Sequence, residues 1–134
     1  MTNKYVAVTS GKYFSEEELA CSHCGVAAMD KGFLDQLDHL REHFGPLTIT
    51  SAYRCPDHPI EKGKQAGPGA HSTGKAVDIA ISRGNAYRLL ELIFRSYPSD
   101  TWYFTGVGIN QKGEGRFIHL DSITGGVRPT VWSY

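Results

Sequence analysis

The sequence is organised around Gly69-Ala70-His71-Ser72-Thr73-Gly74-Lys75-Ala76-Val77-Asp78-Ile79-Ala80, in which a histidine and an aspartate stand seven residues apart. A second run, Phe117-Ile118-His119-Leu120-Asp121, supplies another histidine further along the chain. Two histidines and one carboxylate are a common ligand set for a zinc ion that keeps one position open. The two runs are therefore predicted to meet and to bind zinc through His71, Asp78 and His119.

Length and charge limit the class of protein. A chain of 134 residues predicts one domain, residues 1–134, with its own hydrophobic core. Fourteen basic residues balance fourteen acidic ones, so the net charge gives no reason to expect nucleic acid or an acidic membrane as partner. No apolar run approaches the roughly 20 residues of a membrane span. A monomer is expected.

The first five residues, Met1-Thr2-Asn3-Lys4-Tyr5, contain no apolar core of the kind that a secretory signal needs. We therefore expect the protein to be made in the cytoplasm without a signal peptide.

Three segments have the patterns of helices. Ser15-Glu16-Glu17-Glu18 is a capping-box pattern and predicts a short helix there. Asp30 is a suitable N-cap for a helix to about Phe44, and Gly45-Pro46 would end it. A third helix is predicted over residues 85–97. Its inward side chains would be Leu89, Leu90, Ile93, Phe94 and Tyr97.

Strands are predicted from alternation and β-branched residues over 47–51, 76–81, 103–111 and 116–123. The last two read as a hairpin around Lys112-Gly113-Glu114-Gly115, whereas residues 56–70 read as an irregular loop. Helices followed by several antiparallel strands predict an α+β domain, with an antiparallel sheet flanked by helices.

The run from Gly69 to Ile79 resembles the His-x-x-Gly-x-Ala-x-Asp signature of the zinc D-alanyl-D-alanine carboxypeptidase family. That family shares a fold with phage L-alanyl-D-glutamate endopeptidases and with the hedgehog signalling domain. The segments 14–21, 47–55 and 117–121 are also similar to the family's opening segment, to the strand and arginine before the zinc motif, and to the second zinc strand.

The resemblance implies zinc on His71, Asp78 and His119, and a substrate-binding or carbonyl-polarising role for Arg54. A guanidinium offers a rigid fork of donors to a carboxylate or to a developing oxyanion. Aromatic residues near the chain's end, Trp132 above all, are candidates for the wall of a substrate groove. They fit packing at a sheet edge equally well. These aromatic candidates are Trp102, Tyr103, Trp132 and Tyr134.

The general base is not assigned by the resemblance. Many family members carry His-x-His on the second zinc strand, or a glutamate three residues before the ligand, and this chain has Phe117 and Arg116 at those positions. Asp121 and Glu114 are the candidates. Asp121 shares a strand face with His119, and Glu114 lies in a glycine-flanked turn that also suits a solvated residue.

Three cysteines and a histidine form a separate hypothesis. Cys21 and Cys24, together with Cys55 and His58, have the spacing of a closed structural zinc site. Free thiols in the core, or a single disulfide, explain the same cysteines equally well.

The sequence thus predicts a zinc peptidase acting on peptidoglycan stem peptides, at D-Ala-D-Ala or at another bond such as L-Ala-D-Glu. Its small size fits a phage lysis or virion-associated enzyme, or a prophage product, that reaches the cell wall after release. Two alternatives stay open: a non-catalytic binding domain that keeps the zinc, and a structural virion protein without a stoichiometric metal.

Overall fold

A five-stranded sheet lies at the centre of the computed structural model, which describes residues 6–95 and 102–134. The strand order is β3-β4-β6-β5-β7. The five strands are β3 (Thr48–Ser51), β4 (Ala76–Ala80), β5 (Gly106–Asn110), β6 (Phe117–Asp121) and β7 (Thr130–Ser133). The two central strands, β4 and β6, pair antiparallel with Asp78 directly opposite His119. This register brings the two halves of the predicted site together.

Helices pack around the sheet, and their ends follow the capping signals in the sequence. The helices are α1 (Glu16–Leu19), α2 (Lys31–Phe44), α3 (Pro59–Lys62), α4 (Arg83–Arg95) and a 3-10 helix at Ala70–Thr73. Ser15 and Glu18 form the predicted capping box of α1, and Asp30 accepts a hydrogen bond from the Phe33 amide at the start of α2. A two-stranded sheet of β1 (Ala7–Val8) and β2 (Met29–Asp30) precedes α2. The α+β class is confirmed.

The core joins the apolar stripe of α2 to the inner face of the sheet. Leu34, Leu37 and Leu40 of α2 are almost wholly buried, as are Ile79 of β4 and Ile118 of β6. Burial of such side chains contributes roughly 1.5–3 kcal/mol each. The buried side chains of α2 therefore pack against the inner face of the sheet that carries the site.

The sheet is not wholly antiparallel, which corrects the predicted architecture. β7 pairs parallel to β5, with Gly108 opposite Trp132. The sequence shows no signal for this pairing, because parallel strands need a crossover rather than a hairpin turn. The C-terminal aromatic segment, for which no strand was predicted, is consequently an edge strand beside the site.

Two further predictions differ from the structure. Residues 59–62 lie in the segment predicted to be irregular, yet they form α3, with Pro59 in its first turn and His58 as its N-cap. A helix of four residues is too short to show a period.

In α4, Leu89 and Ile93 are buried as predicted, and Leu90 packs partly against the core, but Phe94 is 51% exposed. Phe94 therefore lies outside the buried stripe of this helix. Tyr97 and residues 1–5 lie outside the described residues. Within the described ranges, no helix is long and apolar enough to cross a membrane.

Candidate metal centre

His71, Asp78 and His119 converge at one point of the sheet, and we call them the His–Asp centre. Asp78 Oδ1 lies 3.3 Å from His71 Nε2 and 3.0 Å from His119 Nδ1. One ligating atom from each residue lies within 4.8 Å of the other two. The strand pairing of Asp78 with His119 and the 3-10 helix that carries His71 account for the convergence. The structure thus brings together all three predicted ligands.

The orientation of His71 is set from behind by the backbone. Its Nδ1 lies 2.7 Å from the carbonyl oxygen of Ala52. Because a carbonyl only accepts, Nδ1 carries the hydrogen, and Nε2 is the nitrogen that faces Asp78. The Arg54 amide donates to the His71 carbonyl, and the Ser72 hydroxyl donates to the Arg54 carbonyl. Hydrogen bonds therefore join the segment that follows β3 to the 3-10 helix.

His119 is held by Asp121, which is held in turn by Arg128. His119 Nε2 lies 2.8 Å from Asp121 Oδ2. Arg128 donates to both carboxylate oxygens of Asp121, at 3.0 and 2.7 Å, and the Ile123 amide donates to Oδ1. A carboxylate that accepts from the remote nitrogen of a metal-ligating histidine fixes its ring and raises its basicity. Asp121 thus orients the ring of His119.

The charges at the centre favour ionised carboxylates. Burial alone would raise the pKa of Asp78, but hydrogen bonds from His119 and His71 hold it well below its ordinary value. Burial likewise opposes ionisation of Asp121, and its bonds with His119 and Arg128 lower its pKa to about 2. The two carboxylates raise the pKa of His119 against the effect of burial. At neutral pH the centre therefore offers negative oxygen to a cation.

Arg54 lies beside the centre and is positioned by a glutamate that the sequence analysis missed. Its Nη2 is 3.5 Å from Asp78 Oδ2, and its Nη1 donates to Glu61 Oε2 at 2.8 Å. Glu61 is 1% exposed and accepts further bonds from the Gly69 amide and, on both of its oxygens, from Lys64. Although burial opposes it, these donors lower the pKa of Glu61 to about 2. Glu61 lies in the short helix α3, within a polar segment whose sequence pattern does not mark it as buried.

β7 forms an aromatic wall next to His119. The ring of Trp132 lies 5.2 Å from that of His119, and Arg128 lies 4.9 Å from the Trp132 ring on another side. Gly108 leaves room for this indole, because a Cβ there would come within 2.7 Å of Trp132 Nε1. Trp132 therefore lies against His119, at the edge of the sheet.

Tyr134 also reaches the centre and is 50% exposed. Burial of its hydroxyl raises its pKa, a hydrogen bond with Trp132 opposes this, and the charges of Asp78 and Arg54 act on it too. Trp102 and Tyr103 lie elsewhere, in a cavity of about 300 Å³ between α4 and β7. Of the four predicted aromatic residues, the structure brings two to the centre.

Glu114 lies apart from the His–Asp centre. It stands in the exposed turn between β5 and β6, between two glycines of positive φ. It lines a cavity of about 830 Å³ together with Arg83, Arg88 and Arg116. None of the three ligands lines that cavity. The structure does not bring this candidate base to the centre.

Cys21, Cys24 and Cys55 meet as a second group, which we call the thiol cluster. Their sulfur atoms lie within 4.8 Å of one another, and all three are free thiols. Burial alone would raise the pKa of Cys21, but the amides of Cys55, Cys24 and His23 face its sulfur and lower it to about 7. This places three of the four predicted ligands together.

His58 is not part of the thiol cluster. Its Nδ1 accepts from the Ile60 amide, and its Nε2 lies 3.2 Å from the Ser22 hydroxyl. His58 caps α3 instead, because an imidazole nitrogen can satisfy a helix's first free amides.

The His–Asp centre has the donors that zinc prefers. Two imidazole nitrogens and one carboxylate oxygen point to one place, and His71 and His119 each have the other nitrogen occupied by an acceptor. Asp78, 13% exposed, lies at the accessible side. Three protein ligands and an accessible side are the features of a catalytic rather than a structural zinc site.

Comparison with known proteins agrees with this chemistry. A family model described as Peptidase M15 matches residues 12–121. No curated protein and no solved structure gave a significant match. The matched residues include the whole His–Asp centre, Arg54 and Asp121. The resemblance inferred from the motifs is therefore confirmed: the chain belongs to the peptidase M15 family, a family of zinc-dependent metallopeptidases.

Proposed function

We propose that this protein is a zinc peptidase that hydrolyses the stem peptides of peptidoglycan. The observation that carries the proposal is the convergence of His71 Nε2, His119 Nδ1 and Asp78 Oδ1 next to the guanidinium of Arg54. Bound there, zinc would supply a Lewis acid for a carbonyl and a water of lowered pKa. The remaining contributions come from the chain's own side chains.

Arg54 is the residue best placed to bind the substrate's carbonyl or carboxylate. Its Nη1 and Nε are occupied by Glu61 and Ser51, which leaves Nη2 on the side of Asp78. A donor fixed in this way needs no reorientation when negative charge develops on the substrate. Glu61 is therefore a positioning residue that acts through Arg54.

Asp121 orients His119 rather than taking a proton in this mechanism. All four of its acceptor sites face donors, namely His119 Nε2, two nitrogens of Arg128 and the Ile123 amide. A carboxylate whose pKa is held near 2 is a weak base at neutral pH. Trp132 and Tyr134 would flank an extended peptide lying across the exposed side of Asp78.

The bond that is cut can be identified from the masses of the products. Purified stem peptides and muropeptides are incubated with the protein, with and without a chelator, and analysed by mass spectrometry. Release of one alanine from a pentapeptide stem would indicate carboxypeptidase activity, whereas cleavage between L-Ala and D-Glu would indicate an endopeptidase. We expect products whose formation is blocked by the chelator. The variant Asp78→Asn should not form them, whereas Asp35→Asn, on the exposed side of α2, should form them as the parent does.

A non-catalytic zinc-binding domain is the second candidate, and one observation favours it. Among the described residues, the two carboxylates that flank the His–Asp centre, Asp121 and Glu61, have donors on both oxygens. Zinc bound to His71 and His119 together with no cleavage of any stem peptide would support this candidate and contradict the first.

The place of action is part of the same proposal. We propose that the protein reaches the cell wall after release from the cell or as a component of a virion. Fractionation of a lysate into virions and free protein, followed by detection of the chain, would decide between these routes.

A further inference from the structure

The thiol cluster has the geometry of a second metal site, distinct from the His–Asp centre. The sulfur atoms of Cys21, Cys24 and Cys55 lie within 4.8 Å of one another. Zn–S bonds of about 2.3 Å in a tetrahedral site put sulfur atoms about 3.8 Å apart. The three thiols therefore already lie close to the spacing that one metal ion requires.

The backbone around Cys21 is arranged to stabilise thiolate sulfur. The amides of His23 and Cys55 donate to Cys21 Sγ at 3.4 and 3.3 Å, and the Cys24 amide also faces this sulfur. Gly25 closes the turn with a φ of 77°, and its amide donates to the Cys21 carbonyl. A thiol core that served only for packing would not need three N–H donors on one sulfur.

Cys55 repeats part of this arrangement in a second turn. The Asp57 amide faces its sulfur, and the His58 amide donates to its carbonyl at 3.0 Å. Cys21 and Cys55 are buried, whereas Cys24 lies at the surface. The ligands thus come from two turns that are far apart in sequence and touch through the Cys55 amide.

We propose that Cys21, Cys24 and Cys55 bind a zinc ion as three thiolates, with a fourth ligand from solvent. Binding releases the protons of the thiols that are still protonated. Soft thiolate ligands select zinc over magnesium or calcium, so the site takes a soft divalent cation. Because Arg54 directly precedes Cys55, the ion would fasten the substrate-binding arginine to the loop that follows α1.

Cobalt(II) distinguishes the two sites, because only a thiolate-bound cobalt gives an intense near-ultraviolet charge-transfer band. We expect metal-depleted protein, reconstituted with cobalt, to bind two ions per chain and to show that band. Asp78→Asn should lose one ion and keep the band, which separates this test from the proposed function. Cys24→Ser should weaken the thiolate-bound ion about 100-fold. Ser22→Ala, in the same turn, should change nothing.

The accessibility of Cys24 gives a second test that needs no variant. Because Cys24 is exposed, an alkylating reagent should modify it quickly in metal-depleted protein, and two equivalents of zinc, enough for both sites, should protect it. The proposal is overturned if cobalt gives no charge-transfer band, if Cys24→Ser binds the ion that gives the band as tightly as the parent protein does, or if zinc leaves alkylation unchanged. A disulfide among the three cysteines in protein purified without oxygen would also overturn it.

Discussion

The His–Asp centre takes two of its ligands from directly paired positions of β4 and β6, whereas the thiol cluster takes all three from turns and loops. Side chains of a second layer, Asp121 and Arg128, hold the first site in place. Backbone amides face the sulfur atoms of the second. The first therefore combines ligands on paired strands with an accessible side and an adjacent guanidinium, which are the features that the proposed catalysis needs.

The largest effect should follow from removing the carboxylate of the His–Asp centre. Asp78→Asn takes away the only ligand that contacts both histidines, and with it the metal of that site. Metal-dependent stabilisation is worth several kcal/mol, so hydrolysis should fall by about 1,000-fold or more. Steady-state kinetics and metal analysis measure this. Retention of full metal content at both sites would contradict the assignment.

The next largest effect should come from Arg54→Lys. This variant keeps the ligands of both sites, so it tests substrate binding separately from metal binding. A lysine cannot donate to Glu61, Ser51 and the substrate together. We expect kcat/KM to fall by about 100- to 1,000-fold, as for loss of an oxyanion donor. Metal content should stay unchanged. A variant that loses zinc would indicate a role for Arg54 in the fold rather than in substrate binding.

Glu61→Gln should reduce stability in a pH-dependent way. The pKa of Glu61 is lowered to about 2, so its ionised form stabilises the folded state above its ordinary pKa of 4.5. That stabilisation is lost as the pH falls toward 2. We expect the variant to be less stable by about 3 kcal/mol at pH 7, and the difference to shrink from about pH 4.5 downward and to be nearly gone at about pH 2.

Urea unfolding at several pH values measures this difference. Glu114→Gln, in the exposed turn, is the matched control and should match the parent in stability and in activity. A constant deficit of Glu61→Gln across the whole pH range would mean that its charge is not the cause.

Of the four variants, Asp121→Asn should have the smallest effect. It distinguishes a role of Asp121 in orienting His119 from a role as the general base. Loss of the charge behind His119 should weaken zinc at the His–Asp centre by about 10- to 100-fold. Saturating zinc should then restore most of kcat, because all acceptor sites of Asp121 are already occupied. An activity that stays low at saturating zinc would instead make Asp121 the general base.

Local signals explain which parts of the fold and the site were predictable. α2 was predicted because Asp30 and Gly45 mark its ends and its apolar residues repeat with the helical period. The His–Asp centre was predicted because a motif and a strand each present ligands in alternation. Each of these signals is made by residues that are close to one another in the sequence.

The remaining features depend on contacts between distant segments. Glu61 and Arg128 are single charged residues in segments without a periodic pattern, and only the folded chain shows that Glu61 contacts Arg54 and that Arg128 contacts Asp121. β7 pairs with β5 in parallel and the two strands are far apart in sequence, so no hairpin turn in the sequence predicts the pairing. The structure places His58 as the cap of α3, a role that spacing alone cannot distinguish from that of a metal ligand.

The parallel edge strand β7 has a consequence for how such enzymes diversify. The family match ends at Asp121, whereas Arg128, Trp132 and Tyr134 all follow it. On the proposed function, the ligands of the metal and Arg54 lie within the matched segment, whereas the aromatic residues proposed to border the peptide follow it. Substitutions of Trp132 or Tyr134 would then alter the surroundings of the peptide without changing a ligand. A substitution of Arg128 would also alter the surroundings of His119, through Asp121.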